Sequence, residues 1–174
     1  MWADRLQKQE SRPGGRAVAI FLYNLAILLI LPVAIAFLAV QLLVHRRYRE
    51  SLLARLGFLP RSVGENHRKG PVFWIHAVSV GEVVAVSPLV RRLRQCFPNG
   101  RLVVSTITET GQATARQRIP EADEFIYFPF DLRWIVGKVI RVIRPSLFVF
   151  LETEIWPNFL FALAQQGIPS VMVN

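Results

Sequence analysis

The chain has 174 residues, enough for one globular domain of ordinary size or for a smaller domain with an appendage. Hydrophobic residues make up 52% of it and charged residues 19%, which excludes a disordered chain, and a mean hydropathy of +0.35 points to a membrane segment. The net charge of +9 favours an anionic partner such as nucleic acid, anionic lipid or a phosphorylated substrate. The lone Cys96 excludes an internal disulfide and a cysteine-based zinc cluster, and is typical of a reducing compartment.

An apolar run of 28 residues without one charge covers residues 17–44, after a short N-terminal tail of residues 1–16. As a helix this run would be about 42 Å long, more than the ~30 Å needed to cross the hydrocarbon core of a bilayer. A signal peptide is the alternative, but its apolar region should be about half as long and should end in small residues. Here the run ends in His45, Arg46 and Arg47. The sequence therefore predicts an uncleaved transmembrane anchor.

The segment after this anchor, residues 45–70, is strongly basic. It carries seven Lys and Arg residues against four in residues 1–16, so the positive-inside rule predicts that residues 45–174 face the cytoplasm. Its basic residues alternate with Leu52, Leu53 and Phe58, as in an amphipathic helix at a membrane surface. Simple stop-transfer charge is an equally good interpretation. Because RNP, zinc-finger and helix-turn-helix patterns are absent from the sequence, we expect no nucleic-acid partner.

Residues 71–174 have a different pattern, in which short apolar runs alternate with segments of helical periodicity. The runs predict strands at 72–77, 102–107, 125–128, 146–152 and 170–174, and the periodic segments predict helices at 82–97, 111–118, 132–143 and 155–166. Such alternation is typical of βαβ units, so we expect an α/β domain with a mainly parallel sheet that binds its ligand at the carboxyl ends of the strands. Asp131 and Pro157 are predicted at a cap position and in the first turn of the last two helices.

Two of the predicted strand-to-helix turns carry candidate site residues. In the first turn, Ser79 and Gly81 suit a tight turn and Glu82 lies in the first turn of the helix. Glu82 is either a general base at the ligand edge or an acid that merely complements the helix dipole. In the second turn, Thr108 and Gly111 either receive a phosphate or sugar hydroxyl or make an ordinary helix cap.

A later turn, ETEIWPN, places two carboxylates where a buried strand ends. Burying Glu152 and Glu154 without partners is costly, so this pair favours a function over a packing role. Asn158 follows in the same turn. His76 and His45 have no Cys or Asp partner at the spacing of metal ligands, so we interpret them as a strand residue and a membrane flank and expect no metal.

The sequence resembles the N-terminal half of bacterial transferases of 3-deoxy-D-manno-octulosonic acid (Kdo). The resemblance lies in the membrane anchor, in the basic YRESLLARLGF segment, and in the motifs WIHAVSVGE (74–82), TITETG (106–111), YFPFD (127–131), RPSLFVFLETEIWPN (144–158) and the final VN. It implies a GT-B fold, with residues 71–174 as the Rossmann-like acceptor-binding domain.

The resemblance also implies the chemistry: inverting transfer of Kdo from CMP-Kdo to a lipid A precursor, lipid IVA, in lipopolysaccharide core biosynthesis. Glu82 would be the proton acceptor and Glu152 the transition-state stabiliser, without a cofactor. The resemblance places Ser79, Gly81, Thr108, Gly111, Glu154 and Asn158 at motif positions expected to bind substrate. The resemblance further implies that the protein is a single-pass protein of the bacterial inner membrane. It would contact inner-membrane lipids, with its catalytic domain in the cytoplasm.

One departure from the family pattern is large, because the family continues with Ala-Arg-Leu-Ser and a second domain that binds the CMP-Kdo donor. We therefore expect this chain to be a fragment that is inactive alone. The alternatives are a non-catalytic, membrane-anchored lipid-binding module and, less favoured by the paired motifs, a generic membrane-anchored α/β scaffold.

Overall fold

A computed structural model describes residues 13–44, 48–65, 70–151 and 155–173. By its internal contacts the chain divides into two compact units, Met1–Arg46 and Arg47–Asn174. The first unit contains the predicted anchor, and the second contains the predicted α/β domain.

The described part of the first unit is a long helix, α1, over Pro13–Val44. It includes the whole of the predicted anchor and begins four residues earlier. Its segment Val18–Phe37 has a mean hydropathy of 2.6 and no buried residue, so α1 is not a core helix of its unit and is a candidate membrane span by length and composition. Asn24, a polar residue inside the run, donates its side-chain amide to the carbonyl of Ile20 at 2.7 Å, which reduces the cost of placing it among apolar groups.

The second unit alternates strands and helices as predicted. It begins with two short helices, α2 (Tyr48–Arg55) and α3 (Arg61–Glu65), and continues with β1 (Val72–His76), α4 (Val80–Cys96), β2 (Arg101–Thr106), α5 (Glu109–Arg118), β3 (Glu124–Tyr127), α6 (Arg133–Ile143), β4 (Leu147–Leu151), α7 (Pro157–Gln165) and β5 (Ser170–Val173). The predicted strands agree to within one or two residues. Helices α4 and α5 begin two residues earlier than predicted, because Ser79 and Thr108 cap them.

These strands form one all-parallel sheet in the order β3-β2-β1-β4-β5, which confirms the predicted α/β fold class. Strand β1 is central, and its Ile75 pairs with Val104 of β2 on one side and with Val149 of β4 on the other. The chain moves outward from β1 to β3 and then crosses to β4 on the opposite side of β1. The carboxyl ends of β1 and β4 therefore flank the topological switch point, where open α/β sheets bind ligands.

Both faces of the sheet are buried, as expected for a parallel sheet. Phe73 and Ile75 of β1 belong to the cluster packed with α4 and α5, whereas Trp74 belongs to the cluster packed with α6 and α7. Trp74 is fully buried and makes edge contacts with Phe148 and Phe159 at ring-centroid distances of 5.6 and 4.9 Å. This double layer fixes the strand ends, and therefore the turns that carry the candidate residues.

The predicted cap role of Asp131 is wrong. The residue at the N-cap of α6 is Leu132, without a side-chain cap bond. The Asp131 carboxylate instead accepts hydrogen bonds from the backbone N–H groups of Asn158 and Phe159, at 3.0 and 2.8 Å, in the first turn of α7. Asp131 therefore caps a helix whose first turn lies 27 residues further along the chain, because the fold brings the loop between β3 and α6 beside the start of α7. Pro157 occupies the first turn of α7 as predicted.

Candidate functional site

The turns after β1 and β2 lie against each other at the carboxyl edge of the sheet. The backbone N–H of Ala77 donates to the carbonyl of Ser105 at 2.9 Å, which continues the pairing of the two strands into their turns. A Cβ atom at Gly111 would lie 3.3 Å from the carbonyl oxygen of Val78 and 2.8 Å from Thr108 Oγ1. A side chain at residue 111 would therefore clash with the capping hydroxyl of Thr108 and crowd the carbonyl of Val78 in the other turn.

Glu82 is held in one orientation by the turn that precedes it. The backbone N–H of Val78 donates to Glu82 Oε2 at 2.9 Å, and the hydroxyl of Ser79 donates to Oε1 at 3.1 Å. In return, Ser79 Oγ accepts from the backbone N–H of Glu82 at 3.3 Å. This reciprocal arrangement is a variant of the capping box. Each carboxylate oxygen keeps a further lone pair, so the group still has capacity to accept a proton from a ligand.

An apolar groove of about 280 Å³ opens beside this carboxylate. Its walls come from the first half of α4 and from the last residues of β4 and β5, and it is lined by Gly81, Glu82, Ala85, Val86, Leu89, Leu151 and Val173. Among the residues that the structure describes, Glu82 is the one ionisable group in this lining. Glu82, the predicted general base, therefore lies at a concave surface on the expected edge of the sheet. A group that reacts with a bound molecule has to be accessible in this way.

The second turn makes an ordinary helix cap. Thr108 Oγ1 accepts from the backbone N–H of Gly111 at 3.0 Å and from the hydroxyl of Thr110 at 3.3 Å. Thr108 itself is exposed, so its hydroxyl is within reach of a bound molecule. These contacts account for Thr108 and Gly111 structurally, and their binding of substrate stays a prediction.

The candidate residues after β4 are described only in part. Glu152 and Glu154 lie outside the described residues. Asn158 is 2% exposed, and its side-chain amide donates to the backbone carbonyl of Asp131 at 2.7 Å. This bond anchors the first turn of α7 to the loop between β3 and α6, which makes Asn158 an orienting residue in this structure. Its direct contact with a substrate stays a prediction.

His76 is more constrained than the sequence indicated. It is 1% exposed, its ring stacks on Phe128 at a centroid distance of 4.0 Å, and its Nδ1 lies 3.0 Å from Ser105 Oγ. Ser105 also accepts from Trp74 Nε1 at 2.8 Å. Burial lowers the pKa of His76 to about 3, with a smaller lowering by Arg55, and so keeps the ring neutral at pH 7. Trp74 and His76 share one face of β1, and that alternation is the one signal in the sequence that pointed to this network.

Comparisons with known proteins identify the family. Residues 50–174 match the family described as 3-Deoxy-D-manno-octulosonic-acid transferase (kdotransferase). The 3-deoxy-D-manno-octulosonic acid transferase of Haemophilus influenzae is 34% identical over 155 residues, which are 88% of this chain and 35% of that protein. The enzyme of the same name from Chlamydophila psittaci is also 34% identical, over 88% of this chain and 35% of its own length. The chain thus spans about a third of the length of these curated relatives.

Among solved structures, the crystal structure of S. aureus TarJ in complex with NADPH is 13% identical with a TM-score of 0.33, over 70% of this chain and 43% of that chain. A likeness at this level carries no argument about function.

Proposed function

Because the chain belongs to the 3-deoxy-D-manno-octulosonic-acid transferase family, we propose that residues 71–174 form the acceptor-binding domain of an inverting Kdo transferase. The donor would be CMP-Kdo and the acceptor lipid IVA, in lipopolysaccharide core biosynthesis. The donor site would lie in the part of the enzyme that the longer relatives contain beyond the matched region, arranged as the second domain of a GT-B fold. Residues 71–174 alone would then be inactive.

The observation that carries this proposal is the placement of Glu82. Two hydrogen bonds hold its carboxylate at the carboxyl edge of the sheet, where it lines the apolar groove. In the proposed reaction, Glu82 takes the proton from an acceptor hydroxyl while that oxygen bonds to the anomeric carbon of Kdo. The bond from that carbon to CMP breaks and CMP leaves with the bonding electron pair. Attack opposite the leaving group inverts the configuration.

The other predicted residues complete the proposed site. Glu152, in the turn after β4, would stabilise the charge that develops at the anomeric carbon, a role that rests on the resemblance of the ETEIWPN motif to the family. Ser79, whose hydroxyl donates to Glu82, would orient the base while Thr108 contacts the acceptor. We also propose that α1 anchors the enzyme in the inner membrane, with residues 45–174 in the cytoplasm.

The first test replaces Glu82 with Gln in the full-length enzyme. Gln keeps the side-chain length and an oxygen that accepts the Val78 bond, but it does not take up a proton, so we expect kcat to fall about 100-fold or more, as general-base catalysis contributes about 10²–10⁴-fold. Acceptor affinity should remain within about threefold of the parent enzyme, since the change is isosteric. The measurements are transfer of Kdo to lipid IVA and direct lipid binding.

The matched control is Glu109→Gln, which removes the first-turn carboxylate of the neighbouring helix α5. Its turnover should stay close to that of the parent. Unchanged turnover in Glu82→Gln would disprove the general-base role. If the full-length enzyme bound lipid IVA but transferred no Kdo at all, the lipid-binding module would be the better interpretation.

A further inference from the structure

The side of the α/β unit formed by α6 and the turn after α2 exposes large apolar side chains that its core does not use. Trp134 is 65% exposed, Phe58 62% and Leu53 52%. Single exposed apolar residues are common on protein surfaces, but a contiguous group of them indicates a contact surface. Whether these three side chains form one surface depends on how the turn after α2 packs against α6.

The contacts of the α2–α3 turn show that they adjoin. Gly57 has a φ of +83°, and a Cβ at this position would contact Ile135 and Val139 at 3.4 Å, so the turn lies directly on α6. Lys138 of α6 places its Nζ 4.2 Å from the centroid of the Phe58 ring. Trp134 precedes Lys138 by four residues and Arg141 follows it by three, so all three side chains share one strip of the helix surface. The backbone N–H of Phe58 donates to the carbonyl of Leu53 at 3.0 Å, so Leu53 adjoins Phe58. We name this surface the aromatic–basic patch: Leu53, Phe58, Trp134, Lys138 and Arg141.

The predicted amphipathic helix is only partly present in this arrangement. Of the apolar residues in the segment, Leu56 packs against the core cluster on the α6 and α7 face of the sheet, whereas Leu53 and Phe58 remain exposed. Arg55 also turns inward, because its Nε donates to the carbonyl of Phe128 and its guanidinium lies 5.0 Å from the Phe130 ring centroid. The cations of the patch, half-buried Lys138 and exposed Arg141, therefore come from α6, which the sequence pattern did not indicate.

Charge decides between the kinds of partner that would fit such a surface. Helix α6 contains three basic residues and no acidic one, so its exposed strip favours an anionic surface. Tryptophan and phenylalanine rings flanked by lysine and arginine are the side chains that settle at the boundary between lipid headgroups and acyl chains. In the sequence, only residues 45–47 separate α2 from the helix that contains the candidate membrane span.

We propose that the aromatic–basic patch binds the surface of an anionic phospholipid bilayer. Phe58 and Trp134 enter the headgroup region, and Lys138 and Arg141 contact lipid phosphates. This inference does not depend on the transferase chemistry, because it needs neither Glu82 nor a bound donor.

The test follows the fluorescence of Trp134 in full-length protein reconstituted into vesicles. The emission of Trp134 is obtained by subtracting the emission spectrum of a Trp134→Phe variant from that of the parent protein. The vesicles contain phosphatidylcholine alone or an equal mixture with phosphatidylglycerol, with acyl chains brominated to quench nearby tryptophan. We expect at least twofold stronger quenching of Trp134 in the phosphatidylglycerol vesicles, and high salt should reduce this difference.

Two substitutions that reverse a positive charge separate the patch from general electrostatics. Lys138→Glu lies in the patch and should abolish the extra quenching in phosphatidylglycerol vesicles. Arg118→Glu makes the same change of charge at the exposed end of α5, which packs on the opposite face of the sheet. This control should show the same extra quenching as the parent protein. If Lys138→Glu fails to fold, Lys138→Gln replaces it in the test. Because this variant removes the charge without reversing it, its extra quenching should be smaller than that of the parent protein but not absent. Equal effects of the two charge reversals, or equal quenching in both lipids, would overturn the proposal. A Trp134 shielded from acrylamide but not quenched by brominated lipid would mean that protein covers the patch, and would overturn it as well.

Discussion

At the scale of single residues, the polar groups at the end of β1 differ sharply in their surroundings. His76 is buried beneath the turn and neutral, whereas Glu82, six residues later, is half-buried and lines an open groove. Ser105 accepts from Trp74 and contacts His76, so its side chain joins β1 to β2. The end of β1 therefore combines a buried, uncharged network with a carboxylate that remains available to ligands.

The low pKa of His76 predicts a specific dependence of stability on pH. Its pKa is about 3 in the folded state against 6.5 for an unperturbed histidine, so below pH 6.5 the unfolded chain binds a proton that the folded chain does not. The neutral ring therefore makes its full contribution to the free energy of unfolding above pH 6.5, and this contribution is lost as the pH falls from 6.5 toward 3. Between pH 7 and pH 5 this group should reduce the free energy of unfolding by about 2 kcal/mol.

The variant that checks this is His76→Phe, which keeps a ring against Phe128 but does not titrate. Urea unfolding measures the free energy of unfolding at each pH. Between pH 7 and pH 5 we expect this free energy to fall by about 2 kcal/mol less in the variant than in the parent, whatever the stability of the variant at pH 7. His76→Gln, which also does not titrate, should show the same flattening. Parallel pH profiles for parent and variants would contradict the assigned burial of His76.

At the scale of secondary-structure elements, the start of α7 depends on a residue from a different part of the chain. Asp131 accepts two backbone hydrogen bonds from α7, and Asn158 of α7 donates to the Asp131 carbonyl. Negative charge at a helix N-terminus is also favoured by the helix dipole. These contacts orient the first turn of α7, which follows the ETEIW segment in the sequence.

Replacing Asp131 with Ala should destabilise the unit by about 1–2 kcal/mol, the usual cost of losing a helix cap, since two buried N–H groups lose their acceptor. Asp131→Asn retains one side-chain oxygen and should cost less. Urea unfolding measures the stability, and amide hydrogen exchange of Asn158 and Phe159 reports whether the first turn of α7 opens. A loss below about 0.5 kcal/mol with unchanged exchange would show that Asp131 is not the cap.

At the scale of the whole molecule, the chain combines two units of different physical character. The first unit contains a long apolar helix without buried side chains in its central segment, and the second has cores on both faces of its sheet. A unit with its own core is expected to fold independently of a neighbouring membrane helix.

We therefore expect the protein without residues 1–46 to retain the cooperative unfolding of the α/β unit. Its Tm should lie within about 3 °C of the value for the same unit in the longer protein, because the two core clusters lie entirely within residues 47–174. Circular dichroism and calorimetry test this. A broad, non-cooperative transition would show that the α/β unit needs contacts from the first unit.

How much of this molecule is predictable from sequence depends on the range of the interactions involved. Local periodicity determined the five strands, the order of helices and the apolar anchor segment, because these patterns repeat over a few neighbouring residues. The caps at Ser79 and Thr108 also depend on residues three positions apart. The motif resemblance identified the family, which the match over residues 50–174 confirms.

Only the tertiary structure decided the contacts between distant residues. The capping of α7 by Asp131, the burial of His76 against Ser105 and the pairing of Phe58 with Lys138 join residues 27, 29 and 80 positions apart. No local pattern determines such pairs, because strand order and the choice of sheet face bring them together. The sequence by itself determined the anchor helix, the strands and helices of residues 71–174 and the family they belong to, whereas folding determined which side chains are buried, which orient a neighbouring element and which stay exposed.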